Sequence, residues 1–168
     1  KAHAVSIELV VECKKRGEEP LLVIIGDPLH GEYYESLVQK ITALRLERNV
    51  VFTGWTSEIP EILSLSHFTL LPSENEALGI VLMEGMAAGT PIIAREGEGG
   101  AELIEKYQAG FFYEPDVGVL DLAEKIITLK RNSAGYRELS SKFRKITIDK
   151  FSLQYFGEQL ANLYQDLL

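Results

Sequence analysis

The chain has 168 residues, 46% of them hydrophobic and 25% charged, which suits one compact domain and excludes a disordered, collagen-like or disulfide-stapled chain. A formal net charge of −8 repels nucleic-acid phosphates and sets nucleic acid aside as a partner. The single cysteine, Cys13, has no internal partner for a bridge and suits a reducing compartment.

Val5, Leu9, Val10 and Cys13 recur at helical spacing and predict a helix from about His3 to Lys15, ended by Gly17. No natural start or signal peptide precedes it, so the chain reads as a piece of a longer one whose first strand is missing upstream of Lys1. "PLLVIIGDP" then gives a continuous branched apolar run closed by Gly26 and Asp27, the pattern of a strand buried on both faces in a parallel sheet. Further strands are predicted at Val50 to Thr53, Phe68 to Leu71, Pro91 to Ala94 and Gly110 to Tyr113. They alternate with helices at Glu32 to Leu44, Glu58 to Leu65, Gly79 to Ala88, Ala101 to Tyr107 and Leu120 to Leu129, before two closing helices. This alternation predicts an α/β fold, a Rossmann-like doubly wound parallel sheet with helices on both faces, in one domain spanning residues 1–168. Ligands of such sheets bind outside the carboxyl ends of the strands. The run from Leu78 to Ala94 is broken by Glu84, Gly85, Gly89 and Pro91, which argues against a membrane span and points to the cytoplasm.

The stretch "LLPSENEALGIVLMEGMAAGTPIIA" carries the chemistry. Gly79 opens a helix whose first turn presents backbone N–H groups, an anion cradle to which the helix dipole adds about half a unit of positive charge. A diphosphate fits that place. From Leu78 to Ala88 the helix reads as apolar on every side, hence sandwiched, which predicts Glu84 as a buried acid needing donors such as the paired hydroxyls of a ribose. Gly85 beside it is expected to let a bulky ring approach the backbone. Glu76, eight positions earlier, is displaced by roughly 12 Å along a helix axis, too far to share one bond with Glu84 and well placed for the other end of a long ligand. A nucleotide sugar has that layout.

Taken together, these residues resemble the C-terminal, donor-binding half of a family 4 glycosyltransferase of GT-B fold, the retaining type with a Glu-x7-Glu motif. Glu76 and Glu84 match the two acids, with Pro72 and Ser73 before them and Ala87, Gly89 and Pro91 after. The similarity extends through "IIGD" at 24–27, "VVFTGW" at 50–55, the Gly99–Gly100 and Glu102 loop, and Phe151–Ser152. Leu78 stands where the family has phenylalanine, Gly85 where it has alanine, and Ala2 where it has glycine.

The resemblance implies a catalytic Glu76 near the transferred sugar and a Glu84 that holds the ribose. It implies a main chain at Leu78, Gly79 and Ile80 that cradles the diphosphate, with Lys1 on the phosphate, Gly26 at the donor and Trp55 beside the base. It also implies metal-free transfer of a hexosyl group with no cofactor beyond the nucleotide-sugar donor, to an acceptor sugar or lipid-linked acceptor bound by an N-terminal domain absent from this sequence. The fragment alone is then expected to be inactive. A nonhydrolysing nucleotide-sugar epimerase and a non-enzymatic nucleotide-binding module stay open as alternatives. A nicotinamide-dependent dehydrogenase is disfavoured, since "IIGDPLHG" lacks G-x-G-x-x-G.

Other features have two readings each. Arg95 ends a strand, where it reaches phosphate or faces solvent, and Gly99 with Gly100 makes either a second anion cradle or an ordinary loop. Trp55 either stacks on a base or caps the core. His3, His30 and His67 show no metal-ligand spacing. From Lys130 to Lys150 the local charge is +5, a solvated helix face that also suits the missing domain or peripheral contact with an anionic membrane. Tyr155, Phe156, Leu160, Leu163, Tyr164 and Leu167 form an apolar stripe expected to dock on the core.

Overall fold

The computed structural model describes residues 2–27, 31–74, 76–77, 79–97, 99–114 and 117–167. Helix and strand alternate in the predicted order: α1 (His3–Lys15), β1 (Leu22–Ile25), α2 (Glu32–Ala43), β2 (Val50–Gly54), α3 (Ile59–Leu65), β3 (Thr69–Leu71) and α4 (Ile80–Ala88). β4 (Ile92–Arg95), α5 (Ala101–Tyr107), β5 (Gly110–Tyr113), α6 (Leu120–Arg131), α7 (Ser133–Phe151) and α8 (Leu153–Asp166) follow. Every ladder between these strands is parallel, and the architecture is the Rossmann-like half of a GT-B fold.

The single sheet expected from the sequence is observed as two, β1–β2 and β3–β4–β5. Among the described residues β1 and β3 each have one strand partner. The Leu22 N–H donates to the Asn49 carbonyl (2.7 Å) and the Thr69 N–H to the Pro91 carbonyl (3.1 Å), so alternation along each strand turns the N–H groups of Val23, Ile25 and Leu70 toward the opposite edge. Helix α1 fastens the two sheets together. Its Ile7 and Val10 pack with Ile24, Leu37 and Val50 of the first unit, while Leu9 and Cys13 pack with Ile93, Tyr113 and Leu122 of the second. Burial pushes the Cys13 thiol pKa up.

Helix α4 packs on β3 and β4 through Leu82 and Met86, which share a core with Leu71, Ile92, Leu103 and Phe143 of α7. Its contact with the sheet is close at Gly85, where a Cβ would stand 2.4 Å from Thr69 Oγ1 and 2.7 Å from Thr69 Cβ. Thr69 and Thr90 hydroxyls lie 2.5 Å apart, and the Thr90 hydroxyl donates to the Gly85 carbonyl (3.0 Å), all of them buried. Gly85 therefore admits a strand, where the sequence suggested a ligand ring.

The chain beyond the core departs from expectation in α8. That helix has no buried residue, and Leu153 (90%), Phe156 (64%) and Leu163 (56%) are exposed, because α6 and α7 already close the core with Ile126, Ile127 and Phe143. Part of the basic segment is used internally. Lys130 and Arg131 bind Glu18 (2.6 and 2.8 Å), hydrogen bonds that hold its carboxyl below the usual range, Lys130 first, and Arg144 donates to the Ala88 carbonyl at the end of α4 (2.8 Å). Among the described residues no helix is long and apolar enough to cross a membrane.

Gly85→Ala is expected to lower stability in urea denaturation by up to about 2 kcal/mol, since overpacking costs ~1–3 kcal/mol and the better helix propensity returns about 1. Gly157→Ala in α8, where a Cβ meets nothing within 4 Å, gains the propensity term without the overpacking. A Gly85→Ala variant stabilised as much as Gly157→Ala contradicts the close packing of α4.

Candidate functional site

Parallel ladders put the loops after β3 and β4 side by side, and the candidate site is built from them and from α4. Pro72 and Ser73 close β3 and are buried. Gly79 starts α4 in the left-handed region, φ 65°, and a Cβ on it would stand 2.6 Å from Leu71 Cδ2, so conformation and space both require glycine. Among the described residues no side chain caps α4, and no acid lies in its first turn. Its leading N–H groups are thus left for a ligand anion or solvent.

Glu84 is exposed, not buried as its apolar surroundings suggested. Helix α4 rests on the sheet and on α7, which leaves one side open. Ile80, 64% exposed, Glu84 and Ala87, also exposed, follow at i, i+4 and i+7 along that side. The carboxylate thus needs no internal partner, and it stands one turn beyond the open N-terminus on an accessible face.

Glu76 is half-buried in the loop between Ser73 and Gly79. Its carbonyl accepts from the Gly99 N–H (2.8 Å). Gly99 is thereby taken up by the acidic loop, a role the doubled glycine did not reveal. Arg95, read as a candidate for phosphate, forms an ion pair with Glu74. The Tyr113 hydroxyl donates to the Pro72 carbonyl (3.1 Å) in a buried contact that nothing in the sequence pattern signalled.

Gly26 and Trp55 belong to the other sheet. The Gly26 N–H donates to the Gly54 carbonyl (3.1 Å), which brings the carboxyl ends of β1 and β2 together and sets Trp55 beside Gly26. Trp55 is 79% exposed, so it does not cap the core. Lys1 and Leu78 lie outside the described residues. Glu76, Gly79, Ile80 and Glu84 thus form one group and Gly26 with Trp55 another, on the two sheets that α1 joins. The α4 start, with no side-chain cap among the described residues, offers N–H donors to an anion, and the exposed Glu84 one turn on offers acceptors to hydroxyls.

Residues 1–149 match the family described as "Glycosyl transferases group 1". The chain belongs to the group 1 glycosyl transferases. This glycosyltransferase domain is 30% identical over 148 residues to N-acetyl-alpha-D-glucosaminyl L-malate synthase of Bacillus anthracis, covering 88% of this chain and 38% of that protein. It is 31% identical over 163 residues to alpha-D-kanosaminyltransferase of Streptomyces kanamyceticus, covering 96% of this chain and 41% of that protein. The chain therefore spans about two fifths of the length of the curated relatives it matches. Among solved structures it resembles Anabaena HepE in complex with UDP and glucose, with TM-score 0.85 and 27% identity over 99% of this chain and 45% of that one.

Among the described residues, Ser73 Oγ is the one fully buried side-chain polar atom without a hydrogen-bond partner, and Ser73 is only 3% exposed. Leaving such a group unpaired costs about 1–3 kcal/mol. Ser73→Ala is accordingly expected to raise stability by about 1 kcal/mol in chemical denaturation, and a loss of stability contradicts the unpaired state of this hydroxyl.

Proposed function

We propose that this chain is the donor-binding domain of a retaining, metal-independent glycosyltransferase of family 4 type, which transfers a hexosyl group from a nucleoside diphosphate sugar. The observation that carries this reading is the open side of α4, where an uncapped N-terminus and the exposed Glu84 lie one turn apart. Solved structures of HepE with UDP-glucose, 27% identical over 99% of this chain, support it. So do the sugar transferases among the curated relatives.

In this reading the diphosphate sits at the α4 N-terminus against the Gly79 and Ile80 main chain, with Leu78 and Lys1 completing the contacts. Negative charge grows on the leaving nucleotide as the glycosidic bond breaks, and fixed N–H dipoles already aimed at it lower the barrier without reorganising. No metal is required for that step. Glu84 accepts from the ribose hydroxyls, with Gly26 at the donor and the exposed Trp55 stacking on the base. Glu76 orients the sugar and stabilises positive charge at the anomeric carbon.

The acceptor, a sugar or a lipid-linked sugar, binds the remaining part of the protein, outside this sequence. A strand preceding α1 fills the interval between β1 and β3, using the N–H groups of Val23, Ile25 and Leu70. The whole protein works in the cytoplasm, and the exposed Lys142 and Lys145 of α7 suit contact with an anionic membrane surface.

Calorimetric titration of the full-length protein with UDP, GDP and ADP tests the donor site. At least one of them binds, and Glu84→Ala weakens that nucleotide by roughly 10- to 100-fold, the loss of charge-assisted hydrogen bonds worth about 1.5–3 kcal/mol. Glu76→Gln leaves nucleotide affinity nearly unchanged while transfer falls by about 100-fold or more. Unaltered affinity in Glu84→Ala defeats the ribose assignment.

A further inference from the structure

We propose that Gly99, Arg95 and Tyr113 are positioning residues that clamp the acidic loop and so fix Glu76 for sugar transfer. The proposal rests on the donor site described above and names the groups that hold its acid in place. A carboxylate acting at an anomeric carbon needs placement to a fraction of an ångström, and a misplacement of about 1 Å costs on the order of 100-fold in rate. Glu76 stands on a loop, with no ladder of its own to hold it.

Three tethers reach that loop from elsewhere. At its start, the Tyr113 hydroxyl donates to the Pro72 carbonyl (3.1 Å). In its middle, the Arg95 guanidinium pairs with the Glu74 carboxylate. At Glu76 itself, the carbonyl accepts from the Gly99 N–H (2.8 Å). The first two come from neighbours, since Arg95 and Tyr113 are register partners at the carboxyl ends of β4 and β5. The Glu96 N–H locks them further by donating to the Tyr113 carbonyl (3.0 Å). The acidic loop is thus referenced to two strands of the sheet as well as to the glycine loop.

The contact at Gly99 leaves no room for a side chain. A Cβ there would stand 1.9 Å from the Ala77 carbonyl oxygen and 2.6 Å from that of Glu76. Those atoms are backbone and cannot swing aside as a flexible side chain would. Its φ lies outside the left-handed range, so proximity alone calls for glycine here. An added methyl must push the Ala77 and Glu76 carbonyls away. The glycine loop, read from sequence as a second anion cradle, is in this account a rigid backstop for the acid. Arg95 likewise acts through Glu74, at the place where a phosphate contact was the other reading.

Steady-state donor hydrolysis by the full-length enzyme tests the clamp, with UDP-, GDP- and ADP-hexoses as probes, water taking the hexosyl group and released nucleoside diphosphate as the readout. Gly99→Ala is expected to lower kcat by at least about tenfold with donor KM nearly unchanged. Arg95→Ala and Glu74→Ala lower kcat to a similar extent, the double variant loses no more than either single one, and Arg95→Lys recovers part of the loss. If Gly99→Ala does not fold, Tyr113→Phe removes one hydroxyl from the same clamp and should give the same fall in kcat at constant KM. An active wild type with kcat unaltered in Gly99→Ala and Tyr113→Phe overturns the clamp and leaves the donor site standing. A large rise in KM for Arg95→Ala with Glu74→Ala silent makes Arg95 a phosphate ligand and overturns its positioning role. A wild type that turns over none of the probes overturns the donor-site reading and the clamp with it.

Discussion

The close approach of α4 to the three-stranded sheet at Gly85 is the contact on which the site depends. Because Gly85 has no side chain, the helix settles against Thr69 and its carbonyl accepts from the buried Thr90 hydroxyl. Leu82 and Met86 then fill the core beside Phe143 of α7. Two sides of a nine-residue helix are consumed in this way, and Arg144 closes its C-terminal end. What remains open is one face and the first turn, which carry leading N–H groups without a side-chain cap among the described residues and the exposed Glu84 carboxylate.

Much of this was legible in the amino-acid order. The alternation of apolar runs along the chain placed the strands and the first six helices to within a few residues, with α1, α5 and β5 bounded as predicted, and called the last two helices without bounds. The division into two sheets was not legible. Strand content follows from composition and period, whereas pairing depends on which strands lie side by side. Glu84 shows a second limit. An apolar run with one acid reads as a buried helix, yet its exposure is set by how many neighbours pack around it. For α4 these are the sheet, α3 and α7, and none covers the Ile80 and Glu84 side. Gly85 and Gly99 show a third limit: Gly85 was marked as a place of close approach and Gly99 as an anion cradle or an ordinary loop, and in both the close neighbour is the protein itself, Thr69 in one case and the Ala77 carbonyl in the other.

The same packing logic separates features that bind from features that support. Arg95, Gly99 and Tyr113 lie beside the candidate site, and each makes a contact to the acidic loop. Trp55 and Glu84 are exposed and make no such contact with the described residues. Helix α8 is exposed too, along a whole apolar stripe, and it carries no basic residue to go with it.

The most direct test of the central claim is hydrogen–deuterium exchange on the full-length protein with and without UDP. The account predicts slowed exchange in peptides spanning 79–84, where the diphosphate meets the first turn of α4 and the ribose meets Glu84. It also predicts slowed exchange in those covering Gly26 and Trp55. Unchanged exchange over 79–84 under conditions where UDP is bound would contradict it.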